Sequence, residues 1–103
     1  MLEQRGNHDG DFAVREPVVT YGIINGNVTV PSGQEIVIRG IINGDLFIGD
    51  GGTAKVHGMI NGSVRNLGKV WIYGIIGNLY EDASAETHVD AKAMIAGKDH
   101  RLA

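Results

Sequence analysis

The stretch that decides the fold runs from residue 40 to residue 62 and reads GIINGDLFIGDGGTAKVHGMING. It begins and ends with nearly the same pentapeptide, and further copies begin at Gly22 and, without the asparagine, at Gly74. The first glycines stand at positions 22, 40, 58 and 74, so the copies are separated by 18, 18 and 16 residues. Because this period is too short for a repeating pair of helices, it predicts a solenoid whose coils all turn the same corner.

Apolar residues alternate with polar ones between these corners. One series pairs residues 18 and 20, 36 and 38, 54 and 56, 70 and 72, and 87 and 89; a second pairs 28 and 30, 46 and 48, 64 and 66, and 79 and 81. A period of two is typical of strands, and its return in every coil indicates strands stacked in parallel. We therefore predict an all-β fold, a short parallel β-helix of about four to five triangular coils.

The repeat sets the predicted domain boundaries. Residues 18–97 form the β-solenoid domain, residues 1–17 a polar N-terminal tail or cap, and residues 98–103 a C-terminal tail. Residues 84–97 allow two interpretations. Register favours a last, irregular coil, whereas propensity allows a helix from Ser84 to Ala96 with Gly97 as its C-cap.

The register also separates inward from outward side chains. Ile24, Ile42, Ile60 and Ile76 point inward, and Asn25, Asn43 and Asn61 stack at a corner, where amides can hydrogen-bond along a ladder. One outer face gathers aromatic and basic residues of the kind found at protein-interaction hot spots: Tyr21, Arg39, Lys55, His57, Trp71 and Tyr73. Trp71 either anchors a partner there or covers the flank of its own solenoid.

A second outward set is aliphatic. Strict alternation turns Ile23, Ile41, Met59 and Ile75 toward solvent as a stripe. Because soluble monomers rarely expose a continuous apolar patch, this stripe predicts a homo-oligomer.

Charge and composition exclude several classes of partner. The formal net charge is -3, and residues 18–80 carry four basic and three acidic residues, which gives no electrostatic case for nucleic acid. No apolar run reaches the roughly 18 residues of a membrane helix, and no signal-peptide pattern precedes Gly10. The chain contains no cysteine. We predict a cytoplasmic protein without an integral membrane segment.

Candidates for chemistry are few. His57 could act as a general base, but no carboxylate is placed by the sequence to orient it, so a solvated ladder residue is the favoured interpretation. The pairs His8-Asp9 and Asp99-His100 lie in the predicted tails, where metal ligands are not preorganised. The sequence therefore predicts no catalytic, cofactor or metal site, and no enzymatic activity.

The run Gly-Ile-Ile-Asn-Gly-Asp-Leu, followed by a turn and Val-His-Gly-Met-Ile-Asn-Gly-Ser-Val, resembles the coils of bactofilins, the bacterial polymer-forming cytoskeletal proteins. The resemblance covers residues 18–97. It implies a right-handed triangular β-helix that polymerises end to end without nucleotide, as a membrane-associated scaffold. An alternative is a soluble protein-binding module, such as an immunity protein that neutralises a toxin through the Trp71 face.

A left-handed alternative remains open. Aliphatic residues recur every six positions at 24, 30, 36, 42, 48, 54 and 60, which is similar to hexapeptide-repeat acyltransferases. That resemblance implies a trimer with a histidine as general base, and His57 would be the histidine.

Overall fold

A computed structural model describes residues 2–100, with the side chain of His100 excepted, as a parallel β-solenoid of six coils. Each coil contributes three short strands. In chain order they are β1 (Leu2–Gln4), β2 (Asn7–Asp9), β3 (Phe12–Ala13), β4 (Val18–Thr20), β5 (Ile23–Asn25), β6 (Val28–Val30), β7 (Glu35–Ile38), β8 (Ile41–Ile42), β9 (Leu46–Ile48), β10 (Thr53–Val56), β11 (Met59–Ile60), β12 (Val64–Asn66), β13 (Lys69–Ile72), β14 (Ile75–Ile76), β15 (Leu79–Glu81), β16 (Glu86–Val89), β17 (Met94–Ile95) and β18 (Asp99–His100).

The strands stack into three six-stranded parallel sheets, one for each side of the solenoid. Sheet A runs β1-β4-β7-β10-β13-β16, sheet B runs β2-β5-β8-β11-β14-β17, and sheet C runs β3-β6-β9-β12-β15-β18. The predicted registers hold, since Ile36 pairs with Ala54 and Ala54 with Val70 in sheet A. The prediction of an all-β parallel solenoid is confirmed.

The number of coils is a correction, since six coils replace the predicted four to five. One added coil comes from the N-terminal segment predicted as a polar tail or cap, where residues 2–13 form β1–β3 and pair with β4–β6. Polar residues are tolerated there because an end coil packs on a neighbour on one side only. Gln4 and His8 thus occupy positions that Thr20 and Ile24 fill in the next coil.

The C-terminal end is also built from strands. Residues 86–89 and 94–95 are β16 and β17, so the interpretation of residues 84–97 as a last coil is confirmed and the helix is not formed. The segment predicted as a C-terminal tail contains β18, which pairs with β15. Residues 101–103 of that segment lie outside the described part of the chain.

A single aliphatic column fills the interior of the solenoid. Its members are Val14, Val18, Ile24, Val28, Val30, Ile36, Ile38, Ile42, Leu46, Ile48, Ala54, Val56, Ile60, Val64, Val70, Ile72, Ile76 and Leu79. Burial of this apolar surface is the main stabilising term, and the outward ladders are held at fixed spacing around it. Within residues 2–100 there is no helix that could span a membrane.

Candidate interaction face

All six residues of the predicted interaction face lie on sheet A or at the corner where its strands end. Lys55 and Trp71 are neighbours in the outward ladder of sheet A, between Val37 and His88. The other four follow the ends of the sheet A strands at one corner, where each backbone N–H bonds to the coil before it. This corner ladder reads Arg5, Tyr21, Arg39, His57, Tyr73 and Asp90.

Rings and cations stack along both ladders. The His57 and Tyr73 rings are 4.7 Å apart and nearly parallel, and the Trp71 and His88 rings stack at 5.2 Å. The Lys55 ammonium lies 5.8 Å from the centre of the Trp71 ring, and the Arg5 guanidinium 4.5 Å from that of Tyr21. These geometries fall within the range of cation–π contacts. Since its ring faces are occupied by ladder neighbours, Trp71 is half-buried and presents mainly its edge.

The centre of this face is positively charged. Neither Arg39 nor Lys55 makes an ion pair with another residue of the described chain. Partial burial lowers the pKa of His57 from its ordinary value of 6.5, and the nearby Arg39 and Lys55 lower it further because they repel a second positive charge. The neutral form of His57 therefore predominates at pH 7, and Arg39 and Lys55 carry most of the positive charge of this face.

The aliphatic stripe lies beside the corner ladder, on the outside of sheet B. Ile23, Ile41, Met59 and Ile75 are in register, and Met94 continues the stripe into the last coil. Exposure grows toward that end, to 38% at Ile75 and 57% at Met94. The stripe predicted from strict alternation is thus present on the surface.

A shallow groove of about 500 Å³ separates the stripe from the corner ladder. Its walls are Tyr21, Arg39 and His57 on one side and the four aliphatic residues on the other, and glycines form its floor. The groove thus combines cationic, aromatic and aliphatic surface.

The asparagine ladder is formed as predicted. Asn43 Nδ2 donates to Asn25 Oδ1 at 2.9 Å, Asn61 Nδ2 donates to Asn43 Oδ1, and Asn25 Nδ2 donates to Asp9 Oδ1 at 2.9 Å. The ladder therefore has a direction, because every side chain donates toward the N-terminal coil.

Sequence reasoning missed a second polar ladder at the next corner. Side-chain oxygens of Asp11, Asn27 and Asp45 each accept the backbone N–H of the residue one coil later, at 2.8–2.9 Å, and Asn78 does the same for Lys98. The signal was present, since the residue after each full pentapeptide is Asn27, Asp45 or Ser63. These short side chains can all accept a hydrogen bond.

No protein-family model, curated protein or solved structure matches the chain. The function therefore has to follow from the chemistry of the surfaces described above.

Proposed function

We propose that the protein is a non-enzymatic scaffold that assembles by stacking the last coil of one copy on the first coil of the next. Support comes from the two ends of the solenoid. The strands β1, β2 and β3 each pair on one side only, as do β16, β17 and β18, within the described residues. Unpaired strand edges of this kind are templates for another chain, and here all three sheets present one at each end.

The observation that carries the proposal is the charge at the two ends of two outward ladders. The corner ladder begins at Arg5 and ends at Asp90, and the second polar ladder begins at Asp11 and ends at Lys98. If a second copy continues the register, Asp90 meets Arg5 and Lys98 meets Asp11. Opposite charges at both junctions favour this head-to-tail alignment.

The inward residues of the end coils set the strength of such a contact. Gln4 and His8 at one end, and Thr87 and Asp99 at the other, stand where the middle coils have aliphatic side chains. Burial of these polar groups against a second copy offsets part of the gain from strand pairing. Assembly is therefore reversible and depends on concentration and salt. The right-handed winding implied by the resemblance to bactofilins belongs to the proposal, although the charge matching holds for either hand.

Charge reversal at one junction tests the proposal. Arg5→Glu alone and Asp90→Arg alone each place like charges at the junction, so both variants should shift the concentration for assembly upward, by about tenfold for a loss of about 1.4 kcal/mol. The double variant should restore assembly. The measurement is light scattering against concentration and salt, with electron microscopy of the same samples.

The control variant is Asp50→Arg, which makes the same charge change as Asp90→Arg but at an exposed turn far from both ends of the solenoid. Arg5 forms an ion pair with Glu3 at 2.7 Å, and Asp90 accepts the Lys92 backbone N–H, so the melting temperature of each variant is compared with that of the native chain. A fixed oligomer whose size responds to none of these changes would contradict end-to-end stacking.

A second candidate function is the binding of another protein through the interaction face. The observation in its favour is the pair of cations without ion-pair partners, Arg39 and Lys55, beside Trp71 and the groove. Trp71→Ala separates the two candidates. It should leave end-to-end assembly unchanged, while a partner bound to this face should lose about 2 kcal/mol or more if Trp71 is a hot spot. A Trp71→Ala variant that no longer assembles would instead place the self-contact on this face.

A further inference from the structure

We propose that Asn61 is a site of spontaneous deamidation in the folded protein, and that the asparagine ladder protects Asn25 and Asn43 from the same reaction. All three residues are exposed, and each lies in the same local sequence, Ile-Asn-Gly. A following glycine favours the reaction because it has no Cβ to hinder the approach of its own nitrogen to the asparagine side chain. The local sequence and solvent access are therefore alike at the three sites, and the ladder makes the difference.

The reaction needs only water. The Gly62 nitrogen, after losing its proton, attacks Cγ of Asn61; the Cγ–Nδ2 bond breaks, and ammonia leaves with a proton taken from solvent. Water then opens the resulting cyclic imide at one of its two carbonyl carbons. Opening at Cγ gives aspartate, and opening at the main-chain carbonyl gives isoaspartate, in which the backbone runs through the former side chain.

Hydrogen bonds decide which of the three side chains is free to rotate into position for attack. The Asn25 side chain donates to Asp9 and accepts from Asn43, and the Asn43 side chain donates to Asn25 and accepts from Asn61. Asn61 only donates, because the next coil has Gly77 at the equivalent corner and no donor of the described chain reaches Asn61 Oδ1. A typical net hydrogen bond corresponds to about a fivefold factor in rate, so Asn61 reacts about fivefold faster than Asn25 or Asn43.

The direction of the ladder also determines how deamidation of Asn61 affects the fold. A carboxylate already occupies the N-terminal end of the asparagine ladder, because the Asp9 side chain only accepts a hydrogen bond there, from Asn25. The Asn61 side chain, in contrast, only donates, to Asn43 Oδ1. An aspartate at position 61 would place a carboxylate oxygen against Asn43 Oδ1, and both of these oxygens are acceptors. Isoaspartate would further lengthen the backbone beside Gly62, whose Cα already lies against the backbone of Gly44 with no room for a Cβ. Modification of Asn61 therefore weakens the stacking of coil 4 (β10–β12) on coil 3 (β7–β9).

The test follows deamidation at each of the three sites by peptide mass mapping while the native chain is held at mildly alkaline pH. In the folded protein we expect Asn61 to convert about fivefold faster than the other two, and in denaturant we expect all three to convert at similar rates. Isoaspartate is detected separately with a protein-isoaspartate methyltransferase, and the aged protein should melt at a lower temperature.

The variant Asn61→Ala should transfer the fast deamidation to Asn43. Asn61→Ala removes the donor to Asn43, so Asn43 becomes the end of the ladder and its rate should rise about fivefold, while the rate at Asn25 stays the same. Circular dichroism checks that this variant folds; if it does not, the ranking of the three sites in the native chain decides. Equal rates in the folded protein, conversion at none of the three sites while the denatured chain converts, or an unchanged Asn43 rate in a folded Asn61→Ala variant would each overturn the proposal.

Discussion

Replacement of Gly58 by alanine is expected to lower the free energy of unfolding by about 3 kcal/mol or more. A Cβ at this position would overlap the carbonyl oxygen of Gly40 in the coil below. That oxygen cannot move freely, because it accepts the Met59 backbone N–H at 3.0 Å. The clash is with backbone rather than with a flexible side chain, so relief requires the two coils to separate at the corner. Urea unfolding followed by circular dichroism measures the change.

Gly33→Ala is the matched control. Gly33 has a φ of 80°, and a Cβ built there meets no atom within 4 Å, so only the left-handed backbone conformation resists alanine. The expected cost is about 1–2 kcal/mol. If alanine at position 58 cost no more than alanine at position 33, close approach of stacked backbones would not be the reason that glycine recurs at positions 22, 40, 58 and 74.

The middle of the fold could be predicted from sequence because the same side chains return at the same places. Ile24, Ile42 and Ile60 are inward in three successive coils, and one register accounts for all of them. The first coil escaped prediction because this signal is absent there. His8 stands at the inward position of Ile24, and an end coil has only one neighbour to cover it, so its sequence need not repeat the aliphatic pattern.

The sequence predicted where the residues of the interaction face lie, but it did not predict their side-chain contacts. Register alone places Lys55 beside Trp71 and Trp71 beside His88. The stacking of His57 on Tyr73, and the effect of Arg39 on the pKa of His57, depend on side-chain rotamers that a repeat does not specify. The same holds for the charge match between β1–β3 and β16–β18, since it depends on residues 2–13 forming a coil of their own.

Asn66 is a buried polar residue that breaks the repeat, and it stands where the neighbouring coil has Ile48. Its Oδ1 accepts the Gly68 backbone N–H at 2.9 Å, and its Nδ2 donates to the Glu86 carbonyl oxygen at 2.7 Å and to Thr87 Oγ1 at 2.9 Å. This one amide therefore joins the end of β12 to the start of β16. It supplies the turn into coil 5 (β13–β15) with a hydrogen-bond acceptor that an aliphatic side chain lacks.

Asn66→Ile restores the apolar repeat, yet we expect it to destabilise the protein by about 2 kcal/mol. The extra apolar burial does not compensate, because the Gly68 N–H is left buried without an acceptor and the start of β16 loses its link to β12. Ile48→Val, at the same position one coil earlier, is the control and should cost about 1 kcal/mol through lost packing alone. Urea unfolding compares the two, and faster hydrogen exchange at Gly68 in Asn66→Ile would locate the loss. An Asn66→Ile protein as stable as the native chain would mean that apolar burial, and not the amide, holds the last coil in place.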